Sequence, residues 1–246
     1  MTSRAAWLAL LLPLFAACST AAHRAEQRNA AQLNTQLGVN YARQGQFDLA
    51  IEKLQRAVAQ DDGYAPAHSA LAVIYQTRGE STAAEKEYRR ALSLDSSDPT
   101  VKSNFGVLLC ERGKADEARR YFMEVASDTR YPTPEQAWTN AGICAKKNNP
   151  DLAEHDFREA LRLKPADRDA LAQMAIISYD KQDFLRTRAF LQRYDLKSQA
   201  TPELLAIAAR TEIALGDRDG ARDYARRVVQ EFPESKEAAM FSDWQP

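Results

Sequence analysis

The sequence is poor both in residues that break helices and in residues that carry chemistry. It has nine glycines and ten prolines in 246 residues, against many Ala, Leu, Arg and Glu, which favours helix over sheet by intrinsic propensity. Only three histidines occur, His23, His68 and His155, and none lies in a His-Glu-x-x-His pair. A glycine-rich phosphate loop, a Gly-x-Ser-x-Gly elbow and a Cys-x-x-Cys pair are all missing. The chain is therefore expected to be no enzyme, with no catalytic residues, no cofactor, no metal and no small-molecule substrate. Neither sign of charge dominates, with 33 basic and 34 acidic residues, so no basic field exists to hold a nucleic-acid backbone. What is present is apolar content of 45% with a mean hydropathy of −0.52, enough for a sizeable core in a chain that is neither membrane-embedded nor disordered.

The one long apolar run is at the start. Arg4 supplies a positive charge, Ala5 to Phe15 form a short apolar stretch broken by Pro13, and Ala16-Ala17 precede Cys18. A charged start, a short apolar core and small residues before a cut site make a secretory signal too short to span a bilayer. The Cys directly after the small pair resembles a bacterial lipoprotein signal, which implies lipidation at Cys18; Phe15 stands where that pattern prefers Leu. An ordinary signal cut elsewhere is the alternative. Ser19 after the Cys, read by the enterobacterial sorting scheme, implies the outer membrane. Residues 1–17 are then the signal peptide and 18–30 a lipidated polar tether.

From Ala31 onward the chain repeats itself. Asn104, Phe105, Gly106 and Val107 align with Asn140, Ala141, Gly142 and Ile143 at an offset of 36. Extending that register gives units starting at residues 31, 65, 99, 135, 168 and 202, with spacings of 34, 34, 36, 33 and 34. Each unit matches the tetratricopeptide pattern, in which a large residue, Leu, Gly or Ala, and Tyr on helix A face Ala, an aromatic or Leu, and Ala on helix B. The second unit is the best match, with Leu71, Ala72, Tyr75, Gly79, Ala84, Tyr88 and Ala91. The fifth is degenerate, with Thr187 in an alanine position. The expected fold is all-α: a right-handed superhelix of six tetratricopeptide (TPR) helix pairs over 31–64, 65–98, 99–134, 135–167, 168–201 and 202–235. Residues 236–246 are expected as a capping helix using Met240, Phe241 and Trp244. His68 falls at a packing position of helix A, where a packed histidine is expected.

Cys110 and Cys144 fall near the ends of the A helices of units three and four, and successive A helices stack side by side. In an oxidising compartment a disulfide between them is the expected state; two small buried hydrophobes are the alternative. Position 9 of the A helices reads Val39, Val73, Val107, Ile143, Ile176 and then Arg210, with small residues at position 5 above it that include Ser69, Ser103 and Thr139. These residues are the candidate partner-binding groove, an apolar floor suited to an amphipathic helix or extended apolar peptide; packing between A helices is the competing reading. Lysines that would clamp a C-terminal carboxylate are absent from position 5, and Lys146-Lys147 form the only groove-side lysine pair.

Within this frame, Asn104, Phe105, Gly106, Leu109 and Cys110, followed by Tyr131, Thr133, Pro134, Glu135, Ala137, Asn140, Ala141, Gly142 and Cys144, resemble the signature of the PilW/PilF family of type IV pilus biogenesis lipoproteins. That resemblance implies a pilotin: a lipid-anchored protein facing the periplasm from the outer membrane, whose partner is the pilus secretin and which promotes the secretin's targeting and multimerisation, hence twitching motility. A TPR lipoprotein scaffold for cell-wall hydrolases or other envelope assembly machinery is the alternative that the repeats alone allow.

Overall fold

A computed structural model describes residues 12–242, with side chains from residue 22 onward; residues 1–11 and 243–246 lie outside it. Among the described residues every regular element is a helix. Six helix pairs follow one another: α1 (Leu12–Arg43) with α2 (Phe47–Gln60), α3 (Ala65–Thr77) with α4 (Ser81–Leu94), and α5 (Pro99–Glu111) with α6 (Ala115–Ala126). They continue with α7 (Pro134–Ala145) and α8 (Pro150–Leu163), α9 (Arg168–Asp180) and α10 (Phe184–Tyr194), and α11 (Pro202–Leu215) and α12 (Arg218–Glu231). A four-residue α13 (Lys236–Ala239) ends the described chain. Prolines at the start of α3, α5, α7, α8 and α11 suit the first turn, where the missing N–H has no intrahelical partner. The chain divides into two compact units, one ending at Lys114 and one beginning at Ala115.

In the first unit the core lies between each A helix and its B helix. Ala50, Leu54 and Ala57 of α2 and Ala84, Tyr88 and Ala91 of α4 are buried at the alternating three- and four-residue spacing that makes one helix face. The small residue on helix A is needed for close approach. A Cβ added to Gly38 would sit 2.6 Å from Leu54 Cγ, and one added to Gly142 in the second unit would sit 2.6 Å from Phe157 Cε1. Both are closer than real carbon contacts, so the Gly in this position sets the distance between paired helices. His68 is buried and packed, as its position implies: Nδ1 lies 2.6 Å from Glu87 Oε2 and Nε2 lies 3.0 Å from the Asp62 carbonyl oxygen. Burial alone would lower its pKa; the hydrogen bonds to Glu87 and Asp62 and their two carboxylates outweigh that and raise it.

The second unit has an extended core that includes Phe157, Leu161, Leu171, Met174, Leu191 and Leu205. It also buries charge. Glu154 is surrounded by Arg158, Lys181 (2.7 Å) and Arg186 (3.1 Å), and these cations hold its pKa below the usual range despite burial. Asp156 is fully buried with Arg119 at 2.9 Å on one oxygen, while its Oδ2 has no hydrogen-bond partner; burial pushes its pKa up.

Three features differ from the sequence-based expectation. Residues 22–30, expected as a tether, are helical and mostly exposed, because STAAHRAEQRNA contains no glycine or proline and four alanines. Leu37, at a packing position, is exposed together with Leu33 and Leu49. Of the three capping residues, Phe241 is buried, Met240 is half exposed with its sulfur 2.7 Å from Arg210 Nη2, and Trp244 lies outside the described residues.

Candidate functional site

In the first unit the A helices α1, α3 and α5 are neighbours in order, which brings position 9 of each onto one surface. Val39, Val73 and Val107 are all partly exposed there. The β-branched side chains present a short, stiff apolar strip whose rotamers are already restricted, so little entropy is lost when something packs against it. At the α1 end the strip opens into a cavity of about 270 Å³ lined by Thr35, Val39, Pro66, Ser69, Ala70 and Val101, with Asp95 and Asp98 at its rim. Ser69 is partly exposed, and its small size makes the hollow possible. Ser103 differs: it is 4% exposed and belongs to the packing of α5 rather than to a contact surface.

In the second unit α7, α9 and α11 are likewise neighbours. Ile143 is 47% exposed and Ile176 partly so, and Arg210 carries the series to a cation. Thr139 is fully buried, and its hydroxyl lies 3.3 Å from Asp167 Oδ1 of the turn before α9. Position 5 in the middle of the chain is therefore small because helices pack there. The sequence pattern could not distinguish a small residue that lines a groove from one that closes a helix contact. Lys146 is not free for a ligand: its Nζ bonds Gln173 Oε1 at 2.8 Å.

Cys110 lies in the last turn of α5 in the first unit and Cys144 lies on α7 in the second, where it is buried. Cys18 falls within α1 at a position whose side chain is outside the described residues. Among the described residues no group of three or more His, Cys, Asp or Glu could hold a metal ion, and no helix is long and apolar enough to cross a membrane.

Family models described as tetratricopeptide repeat match residues 41–103, 100–130 and 206–235. Over 98% of both chains the sequence is 32% identical to the type IV pilus assembly protein PilF of Pseudomonas aeruginosa. The solved structure of Pseudomonas aeruginosa PilF superimposes with a TM-score of 0.78 at 29% identity, covering 88% of this chain and 98% of that one. The crystal structure of PilW, described as a widely conserved type IV pilus biogenesis factor, gives a TM-score of 0.76 at 26% identity, with 85% and 97% covered.

Proposed function

The chain belongs to the PilF/PilW family of type IV pilus biogenesis proteins, and from that premise we propose that it is a pilotin, an outer-membrane lipoprotein adaptor for the pilus secretin. Cys18 carries the lipid and faces the protein to the periplasm. The position-9 strip captures an apolar segment of the secretin and raises its local concentration at the membrane, which favours multimerisation by mass action. The observation that carries this reading is the row of partly exposed valines, Val39, Val73 and Val107, on successive A helices of a TPR protein with no competing catalytic constellation among its sequence motifs. Ile143 and Ile176 are the equivalent apolar residues of the second unit, and Ser69 shapes the strip of the first by being small, while the buried Ser103 and Thr139 act only by letting their helices pack.

The test replaces Val73→Asp together with Val107→Asp. Secretin capture is expected to be lost while helical content by circular dichroism is unchanged; capture at the wild-type level overturns the groove assignment. Cys18→Ala is expected to leave capture intact and to move the protein from the outer-membrane fraction to the soluble periplasm. A deletion strain should lose secretin multimers and twitching motility. The same reading joins Cys110 to Cys144 in the oxidising periplasm. Alkylation with and without reductant tests that pairing, and two freely alkylated thiols overturn it.

A further inference from the structure

Helix α10 is the shortest of the six B helices, 11 residues where α8 and α12 have 14. It stops at Tyr194 because Asp195 adopts a left-handed conformation, φ 60° and ψ 67°. That conformation is costly for a residue with a Cβ, and local hydrogen bonds hold it: the Asp195 carboxylate accepts from the Ser198 hydroxyl at 2.7 Å. Leu196 then turns inward and is buried, and its carbonyl accepts from Arg227 Nη2 at 2.9 Å. Compared with α8, one turn of helix is missing.

The missing turn leaves one face of α12 uncovered. Gly220, Asp223, Tyr224, Arg227 and Glu231 lie on that face at helical spacing, and Gly220 contributes no side chain. With the end of α10 and the start of the following connector, they enclose a cleft of about 760 Å³, within the range of about 300–1,000 Å³ found for ligand sites. Its apolar wall is Leu191, Leu196 and the Tyr224 ring. Arg227 is already engaged, by Glu231 at 2.6 Å and by the Leu196 carbonyl, which leaves Lys197 as the other cation of the lining; Asp223 also lies 3.5 Å from Arg226, in an exposed pair beside the cleft. The Ser198 hydroxyl bond holds Asp195 below the usual carboxylate range, and it stays ionised at neutral pH.

The repeat itself indicates what would fit. In register, Leu191 corresponds to Phe157 and Tyr194 to Ala160, so the absent turn corresponds to Leu161-Arg162-Leu163 of α8, in which Leu161 is buried and Arg162 is exposed. We propose that the cleft between α10 and α12 is a second binding site, separate from the valine strip, which takes a short peptide segment carrying large apolar side chains around a Lys or Arg. The apolar side chains fill the space beside Leu191 and Tyr224, and the cation meets Asp195 and Asp223. The incoming segment replaces the turn that the chain lacks.

The experiment is an NMR titration of the full chain with the acetylated, amidated peptide Ala-Leu-Arg-Leu, with Ala-Leu-Glu-Leu and Ala-Ala-Arg-Ala as controls. Saturable shifts are expected at the amides of Leu196, Gly220 and Tyr224, weakened about tenfold or more by either control, which corresponds to about 1.4 kcal/mol. Gln192→Trp, an exposed position that fills the cleft, and Asp223→Lys should each abolish the shifts with the rest of the spectrum preserved. Val73→Asp with Val107→Asp should leave them unchanged, so this site and the valine strip fail or survive independently. Absence of saturable shifts, equal binding of the glutamate peptide, or binding that survives both Gln192→Trp and Asp223→Lys overturns the proposal.

Discussion

The two units close their helix pairs by different chemistry. Up to Lys114 the turns between A and B helices use Gly45, Gly79 and Gly113 at φ 74–75°, and the B helices α2 and α4 start from Gln46 and Glu80 with no side-chain cap, although Asp98 caps the A helix α5. Beyond Ala115 the side chains of Asn149, Asp167, Asp183, Thr201 and Asp217 each accept a backbone N–H at the start of α8 to α12. Among these turns only Gly216 supplies a glycine with positive φ. The turn into α10 places Gln182 at φ 58° in a backbone arrangement matching that around Gly79: Gln182 N–H bonds Tyr179 O and Asp183 N–H bonds Ser178 O, as Gly79 bonds Gln76 O and Glu80 bonds Tyr75 O. Where glycine is lost, a capping side chain follows it. A cap contributes about 1 kcal/mol, comparable to the cost of a non-glycine residue in the left-handed region.

This contrast can be broken at several points, each read by hydrogen exchange resolved along the chain alongside denaturant unfolding. The largest effect is expected from Gly142→Ala, about 2–3 kcal/mol of lost protection in the second unit, because the Phe157 ring is rigid and fills the space. Gly38→Ala in the first unit should cost less, since Leu54 can move to another rotamer. Equal losses would show that the ring contact is not limiting.

Glu85→Gln should remove about 1–2 kcal/mol from the first unit at pH 7. Glu85 accepts from Lys114 at 2.8 Å and from Arg89 at 2.6 Å, with Arg112 also paired to it, and these cations lower its pKa to about 2 against the cost of burial. A lowered carboxylate stabilises the fold above its unfolded value of 4.5, and that contribution is lost as pH falls toward 2. The difference between wild type and variant should therefore shrink across that window. A gap that persists at pH 2 would place the effect elsewhere.

Smaller effects separate glycine turns from caps. Gly79→Ala should cost about 1 kcal/mol in the first unit only, by forcing a Cβ into the left-handed region. Asp183→Ala should cost a similar amount, about 1 kcal/mol, in α9 and α10 only, by removing the acceptor for Arg186 N–H. The smallest change is Gln182→Gly, a gain of about 0.5 kcal/mol or less, because relieved strain is partly offset by a freer unfolded chain. A loss on that substitution would mean that the Gln182 side chain stabilises the turn in its own right.

The helix pairs were legible because each repeat writes the same packing periodicity. Leu71, Ala72, Ala84 and Tyr88 all lie where the pattern placed them, buried between α3 and α4. The surface was less legible. Ser103 and Thr139 read as groove residues but are buried, because small size serves a helix contact as well as a hollow. The cleft beside α12 was hidden for another reason. A hydrophobic pattern reports which face of a helix is covered and says little about where the helix ends. That end is set by one residue, Asp195, whose conformation no periodicity encodes.

Helix α1 begins well before the first repeat and runs without interruption into it. Arg28 braces the junction, bonding Asp61 at 2.8 Å and lying 5.0 Å from the centre of the Tyr64 ring. From position 18 to Ala31 the helix rises about 20 Å at 1.5 Å per residue. A lipid at Cys18 would thus be fixed to one end of a stiff lever whose other end is locked to the turn between α2 and α3. Its consequence is mechanical. The valine strip would sweep an arc of set radius and orientation above the membrane instead of exploring a hemisphere, and a pair of glycines inserted between residues 24 and 28 would release that restriction without altering a single groove contact.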